Sequence, residues 1–307
     1  RIMKTLKYAL YPGCAAKGAT PELYQSTLAI IPILGIEVVE LETASCCGAG
    51  VLAEQDPEVA LALNARTFAQ AERLGLDVMT ICGTCQGIMG PANKRLKEDP
   101  GLLDRINRVL RSEGLEYSGG VQVKHLLWIV VKDIGVRRLS ERIKVPLSGF
   151  QIAPFYGCYI LRPSWHLGFD DPENPTSLEK VIRAVGGEPV LYGGRTKCCG
   201  FPIILEKEAI AVAMGGKNLK EAKDEGADFM VTPCPLCHMS LDIYQERAGR
   251  AVQTNLDLPI LHLPQLIGLA IGIPPQELGM TRHLVPVESI IRKIGKGRNE
   301  QLKLSNK

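Results

Sequence analysis

The 307-residue chain reads as an α/β protein of two pseudo-symmetric, Rossmann-like halves, each a mainly parallel sheet with helices. Two observations carry this. Apolar strand-like runs alternate with helical segments along both halves, the pattern that gives right-handed crossovers and parallel strands. The chain also repeats itself. Its ten cysteines form two sets of five, Cys14, Cys46, Cys47, Cys82, Cys85 and Cys158, Cys198, Cys199, Cys234, Cys237, with 35 positions from Cys47 to Cys82 and again from Cys199 to Cys234. The repeat extends to Asp77 with Met79 against Asp228 with Met230, and to His125-Leu126 against His262-Leu263. A break near Val145-Pro146 and Gly149 divides the chain into a first unit over 1–148, a second over 149–280 and a basic tail over 281–307.

In the first unit, Leu6–Tyr11 is apolar and strand-like and ends at Pro12-Gly13-Cys14. Thr20-Pro21 supplies an N-cap with proline at the first helical position, predicting a helix over Leu23–Leu34 whose last turn Pro32 disturbs. Ile36–Leu41 is the second strand and leads to Cys46-Cys47-Gly48. Asp56-Pro57 opens a helix to about Leu74, and Asp77–Ile81 is a third strand running into Cys82 and Cys85. In the second unit Ile152–Tyr156 is a strand, Thr176-Ser177 opens the helix Leu178–Val185, and Pro189–Tyr192 is a short strand before Cys198. Glu206–Glu225 is helical, Asp228–Thr232 is a strand, and Cys234-Pro-Leu-Cys237 opens a helix over His238–Ala248. Every cysteine thus lies beyond a strand's carboxyl end, where parallel sheets bind ligands.

Composition narrows the function. A net charge of +3 gives no case for nucleic-acid binding. No run of about 18 apolar residues occurs, so no transmembrane segment is expected. The N-terminal Arg1-Ile-Met-Lys4 enters a strand without a secretory segment, which gives a cytoplasmic address. In that compartment, and in a chain able to build cores, the cysteines read as metal or cluster ligands rather than disulfides. Zinc takes four ligands from short pairs, whereas each set here has five thiols and one short pair. Iron–sulfur clusters take thiolates, four for a cubane. Five leaves two readings: a cubane with one reactive thiol, or an unusual cluster using all five.

Tyr11-Pro-Gly-Cys14, Cys46-Cys47-Gly48, Tyr156-Gly-Cys158, Cys198-Cys199-Gly200-Phe-Pro202 and the two C-x-x-C pairs resemble the twin CCG domains of the heterodisulfide reductase B-type family. Asp171-Pro-Glu-Asn-Pro-Thr-Ser177 is similar as well, and the resemblance covers about 7–280. The Tyr11 to Lys17 start and the basic tail resemble the sulfur-oxidising type of heterodisulfide reductase-like complex. The resemblance implies two [4Fe–4S] clusters, noncubane with five cysteine ligands each, adjacent at the interface of the halves. It implies an oxidoreductase acting on sulfur groups: cleavage or formation of a disulfide, or a related bond of a thiol carrier such as lipoate-bound sulfur, by one-electron steps at the two clusters. Related domains also occur in succinate dehydrogenase, fumarate reductase, glycolate oxidase and glycerol-3-phosphate dehydrogenase subunits, so a non-catalytic electron-transfer or docking subunit is the alternative.

Among other residues, His238 is the candidate proton donor to a departing thiolate, against a packing role. Lys17, Arg162, Arg195 and Lys197 lie near cluster cysteines and are candidates for binding an acidic thiol substrate, against plain surface charge. His125 and His262 recur at equivalent positions and read as structural caps, and His166 lies in the longer Leu161–Pro175 loop. No flavin or nucleotide fingerprint is present. Electrons are therefore expected from partners, a ferredoxin-like iron–sulfur subunit and a flavoprotein subunit upstream.

Overall fold

A computed structural model of the chain describes residues 5–295. Each half forms one four-stranded parallel sheet. In the first, β1 (Leu6–Tyr11) pairs with β2 (Ile36–Glu40) on one side and β3 (Asp77–Thr80) on the other, with β4 (Val123–His125) outermost, in the order β2-β1-β3-β4. In the second, β5 (Gln151–Pro154), β6 (Glu188–Pro189), β7 (Phe229–Thr232) and β8 (Ile260–His262) repeat it as β6-β5-β7-β8. The register pairs Leu10 with Met79 and Met79 with Lys124, and correspondingly Ala153 with Met230 and Met230 with Ile260.

Strands in such sheets are buried on both faces and read as continuous apolar runs. Here alternate residues enter two different layers. Tyr8, Leu10, Met79, Ile152, Phe229 and Leu261 belong to one buried cluster; Ala9, Val78, Ala153 and Met230 belong to the other. Both layers draw on both halves, so the two sheets share their hydrophobic cores.

The structure refines several expected elements. β4 and β8 are short strands, ending at the repeated His-Leu pairs, that the sequence did not lead us to expect. The first long helix stops at Ile30, before Pro32. Thr20 precedes it, but the hydroxyl donates to the Ala15 carbonyl instead of capping the helix. Thr176 does not cap its helix either; the Asp170 carboxylate accepts from the backbone N–H groups of Thr176 and Ser177 at 3.0 and 2.8 Å. The strand expected over Pro189–Tyr192 is only two residues long, Glu188–Pro189, because the chain turns into the Gly193–Thr196 helical turn. The helix expected over His238–Ala248 begins earlier, at Pro235, and is broken at Tyr244 into Pro235–Ile243 and Gln245–Ala251. The Gln245 amide secures that break, donating to the Leu241 and Leu258 carbonyls and accepting from the Leu258 N–H.

The start of the expected tail is packed. Val285, Val287 and Ile290 are buried, and Asp242 accepts from the N–H groups of Leu284 and Val285. Lys293 donates to the Gly149 carbonyl. Lys296, Arg298, Lys303 and Lys307 lie outside the described residues. Among the described residues no helix is long and apolar enough to cross a membrane.

Candidate metal centre

The topology carries all five cysteines of each half to the carboxyl edge of its sheet. Cys14 opens the short helix after β1, the doublet Cys46-Cys47 follows β2, and Cys82 is the N-cap of the Gly83–Glu98 helix after β3. The second half repeats this, with Cys234 as N-cap of the Pro235–Ile243 helix. The sulfurs converge. Cys14 and Cys46 Sγ are 3.8 Å apart, Cys47 and Cys85 Sγ 3.5 Å. In the second set Cys158, Cys199, Cys234 and Cys237 line one cavity. All ten thiols are free, and the two measured separations are far beyond the ~2.05 Å of a disulfide.

Local chemistry fixes each ligand. Gly157 has φ +69° and lies so close to the second set that a Cβ there would stand 2.7 Å from Cys237 Sγ; Gly13, at φ +79°, passes Cys85 Sγ in the same way at 3.3 Å. Both the left-handed backbone and the close approach require glycine. The N–H groups of Gly48 and Gly200 point at Cys46 and Cys198 Sγ at 3.5 and 3.4 Å. Thr80 and Thr232 hydroxyls accept from the N–H groups of Cys82 and Cys234, each at 3.4 Å. Asn64 and Asn218, on the middle helix of each half, donate to the carbonyls of Cys47 and Cys198 at 2.9 and 3.0 Å. These threonines and asparagines were not singled out from sequence. The signal was present for the threonines, since Thr80 and Thr232 share the 152-residue offset that relates Cys82 to Cys234.

The two sets also meet. The Thr84 hydroxyl lies 3.3 Å from Cys234 Sγ, and Gly83, next to Cys82, comes so near that a Cβ there would stand 3.2 Å from Cys234 Cβ. The Gly83 N–H and His125 Nε2 both reach the Pro233 carbonyl, at 3.2 and 2.9 Å, tying the first half to the residue before Cys234.

Each set asks for a cation. Cys46 is held ionised, down to about 2, by hydrogen bonds from Cys14, Cys47 and the Gly48 N–H, and Cys198 is likewise lowered to about 3 by Cys158, Cys199 and Gly200. Their neighbours move up: Cys47 rises to about 11 through its hydrogen bond to Cys46, and Cys14 and Cys158 rise through theirs to Cys46 and Cys198. Five crowded thiols cannot all ionise without positive charge among them. Soft, clustered, all-sulfur donors fit an iron–sulfur group, and five donors exceed a tetrahedral zinc site. In each set three cysteines are buried and two lie nearer the surface: Cys14 and Cys46 are exposed, and Cys158 and Cys198 are half-buried.

A cavity of roughly 440 Å³ opens onto the second set, lined by Cys158, Cys199, Cys234 and Cys237 and walled by Tyr159, Ile160, Phe201, Met239 and the carboxylates of Glu54 and Glu206. Leu205, at its rim, is 97% exposed. The candidate cations are arranged differently. Lys17 pairs with Glu40 at 2.6 Å, and Arg195 is buried against Glu179 and bonded to the Pro175 carbonyl and Asn174. Arg162 pairs with Glu173 at 2.9 Å and borders a second cavity beside Cys158 and Tyr159, and Lys197 is exposed.

His238 is not among the residues lining the 440 Å³ cavity. It is 4% exposed, with Nε2 at 3.1 Å from both the Ile260 carbonyl and His283 Nδ1. Its ring stacks on His262 at 3.9 Å and 19°. Glu22 joins this stack through His262 at 3.1 Å, and one ligand atom from each of Glu22, His238 and His262 lies within 4.8 Å of the others. His125 does cap its helix, with Nδ1 accepting from the Leu127 N–H at 3.0 Å. His262 is the N-cap of the equivalent helix and forms a capping box with Gln265, whose side-chain oxygen accepts from the His262 N–H at 2.9 Å.

A fold of paired parallel sheets with ten converging thiols defines a twin cysteine-rich cluster-binding protein. The cysteine-rich domain CCG matches twice, over 8–90 and 152–242, and the chain belongs to the twin CCG-domain family that includes the heterodisulfide reductase B-type proteins. It is 41% identical to the 8-methylmenaquinol:fumarate reductase membrane anchor subunit of Wolinella succinogenes, covering 91% of this chain and 97% of that one. It is 32% identical to the B component of the ferredoxin/F420H2-dependent CoB-CoM heterodisulfide reductase of Methanosarcina acetivorans (94% and 97%). A heterodisulfide reductase B-like protein of Archaeoglobus profundus is 33% identical (94% and 98%). The crystal structure of a hypothetical protein from Helicobacter pylori shares the fold at a TM-score of 0.73 and 18% identity; it covers 93% of this chain, which spans about half (53%) of that one.

Proposed function

We propose that the chain is the iron–sulfur subunit of a heterodisulfide reductase-like complex, cleaving or forming a disulfide of a thiol carrier. The observation that carries this reading is the contact between the two sets, where the Thr84 hydroxyl, next to Cys85, lies 3.3 Å from Cys234 Sγ and Gly83, next to Cys82, packs against Cys234. Cleaving a disulfide takes two electrons and two protons and gives two thiols, and two adjacent one-electron centres match that count. The first centre would be held by Cys14, Cys46, Cys47, Cys82 and Cys85, the second by Cys158, Cys198, Cys199, Cys234 and Cys237. Bound there, two [4Fe–4S] groups, noncubane if all five thiolates are used, would supply single electrons and sulfur-binding iron.

The chain's own residues set the conditions. Tyr159, Ile160, Phe201 and Met239 would exclude water from the sulfur substrate, while Glu54 and Glu206 supply the carboxylates on the same wall. Two carboxylates and no lysine or arginine on that wall favour a neutral or apolar thiol over an anionic one. Arg162, beside Cys158 in the neighbouring cavity, is the one expected cation near enough to touch a bound carrier. Lys17, Arg195 and Lys197 would act on charge balance and folding. His238, behind Cys237, has a positioning role in this reading. Electrons would come from a ferredoxin-like subunit, with a flavoprotein beyond it.

Anaerobically purified protein should contain about eight iron atoms with matching sulfide per chain. Thiol added to the oxidised protein should generate a new paramagnetic signal, with 2-mercaptoethanol more effective than 3-mercaptopropionate. Zinc in place of iron would sink the reading. A second reading, electron relay in a dehydrogenase, draws on the 41% identity to the fumarate reductase anchor protein; it predicts full iron and no response to any thiol.

A further inference from the structure

A second cavity of roughly 450 Å³, with no cysteine on its wall, lies between the Gly83–Glu98 helix, β4 and the His166–Phe169 loop. Four lysines surround it: Lys94, Lys97, Lys124 and Lys132. Asp133 is the one carboxylate on its wall and is already engaged, accepting from Lys124 at 2.9 Å and from the Tyr8 hydroxyl at 2.8 Å. Lys94 and Lys97 donate to the carbonyls of Trp165 and Val121, and Lys132 stands over the Phe169 ring at 4.9 Å. Glu98, 3.8 Å from Lys94, is open to solvent, and Asp77 is engaged by the Gln122 N–H at 2.8 Å. Positive charge therefore dominates this cavity.

Its wall also holds three buried polar atoms without a hydrogen-bond partner: Trp128 Nε1, Gln86 Oε1 and His166 Nδ1. They are half of the six such atoms among the described residues. Gln86 is 1% exposed and Trp128 9%. Buried groups of this kind are ordinarily satisfied, and their gathering around one lysine-rich cavity points to a ligand. Trp128 offers a donor, Gln86 an acceptor, and the Trp128–Phe169 stack at 4.7 Å an apolar wall. The complement is a molecule with several anionic oxygens, a hydroxyl and a compact carbon frame. Lysine point charges suit phosphate, and the volume lies within the range of small-molecule sites.

We propose that this cavity binds a phosphate ester bearing a free hydroxyl, either a soluble phosphorylated metabolite or the headgroup of an anionic phospholipid. The site is separate from the thiol chemistry, and its test does not depend on it. The probes are glucose 6-phosphate and vesicles of phosphatidylglycerol in phosphatidylcholine, added to the full cluster-containing chain. Trp128 and Trp165, the chain's two tryptophans, both adjoin the cavity, so tryptophan fluorescence and calorimetry should report saturable binding.

The double variant Lys97→Gln/Lys132→Gln, both exposed positions, should weaken binding about tenfold or more, which at ~1.4 kcal/mol per decade is one good ionic contact. Trp128→Phe, which keeps an aromatic ring and loses the donor, should weaken it as well, and Arg250→Gln, on the wall of a different cavity in the second half, should not. Binding by vesicles alone, with the same lysine dependence, identifies a headgroup as the source. The proposal is overturned if neither probe binds saturably, or if Arg250→Gln weakens binding as much as the lysine pair.

Discussion

At Gly157, φ is +69° and a methyl group would stand 2.7 Å from Cys237 Sγ, so one substitution combines backbone strain with a direct clash against a ligand. Gly157→Ala should cost about 1–3 kcal/mol and release the iron of the second set while sparing the first. Iron per chain should fall by about half. Gly18→Ala is the control: a Cβ there meets nothing within 4 Å, and its iron content should be unchanged. His125 gives a pH prediction. Burial lowers it to about 4, and its two nitrogens are committed to the Leu127 N–H and the Pro233 carbonyl. It stays neutral in the fold while the unfolded chain takes up its proton below ~6.5, so its stabilisation is full above that pH and is lost as pH falls toward 4. The slope is about 1.4 kcal/mol per pH unit for this residue. Between pH 7 and 5.5, denaturant midpoints of the parent should drop more than those of His125→Gln.

The Pro57–Arg73 helix is the clearest case of an element whose local signal and tertiary task coincide. Asp56 Oδ1 accepts from the Val59 N–H at 3.1 Å, and Pro57 occupies the first helical position. The same helix carries Asn64 to the Cys47 carbonyl. Asp56→Ala should lose about 1 kcal/mol, read as a lower thermal midpoint. Thr20 and Thr176 carried the same type of signal, yet neither side chain caps its helix. A capping hydroxyl competes with every other acceptor and donor in reach, and the Ala15 carbonyl and Asp170 carboxylate prevail. The break at Tyr244 was invisible for a similar reason. It depends on the Leu258 backbone, 13 residues from Gln245, returning to take up the Gln245 amide.

The whole molecule is held together across its halves. Glu22 of the first half meets His262 of the second, and Gly87 on the Gly83–Glu98 helix lies against Tyr159 so tightly that a Cβ would stand 2.5 Å from the Tyr159 carbonyl oxygen. Gly87→Ala should destabilise by about 1–3 kcal/mol through overpacking, visible as a lower thermal midpoint. Because both buried layers draw on both halves, the segment 1–148 expressed alone should expose apolar surface and aggregate. A soluble, cooperatively unfolding fragment would contradict that. Thr84 and Gly83 of the first half meet Cys234 of the second, so the proximity of the two sulfur sets is a property of the interface.

The repeated cysteines, the alternation of strand and helix, and the glycines beside the ligands were legible in the chain alone, because spacing and periodicity are local properties that repeat. They determined two parallel sheets and two thiol-rich edges. Tertiary structure alone decided which charges are free. Arg195 is a candidate substrate ligand in the sequence, and the fold places Glu179 beside it; the lysine-rich cavity drew no notice because Lys94, Lys97, Lys124 and Lys132 gather only when β4 packs beside a helix that begins some 40 residues earlier. Sequence spacing encodes what lies within an element's reach; the contacts between elements depend on packing, where the identity of a partner is fixed by shape and burial.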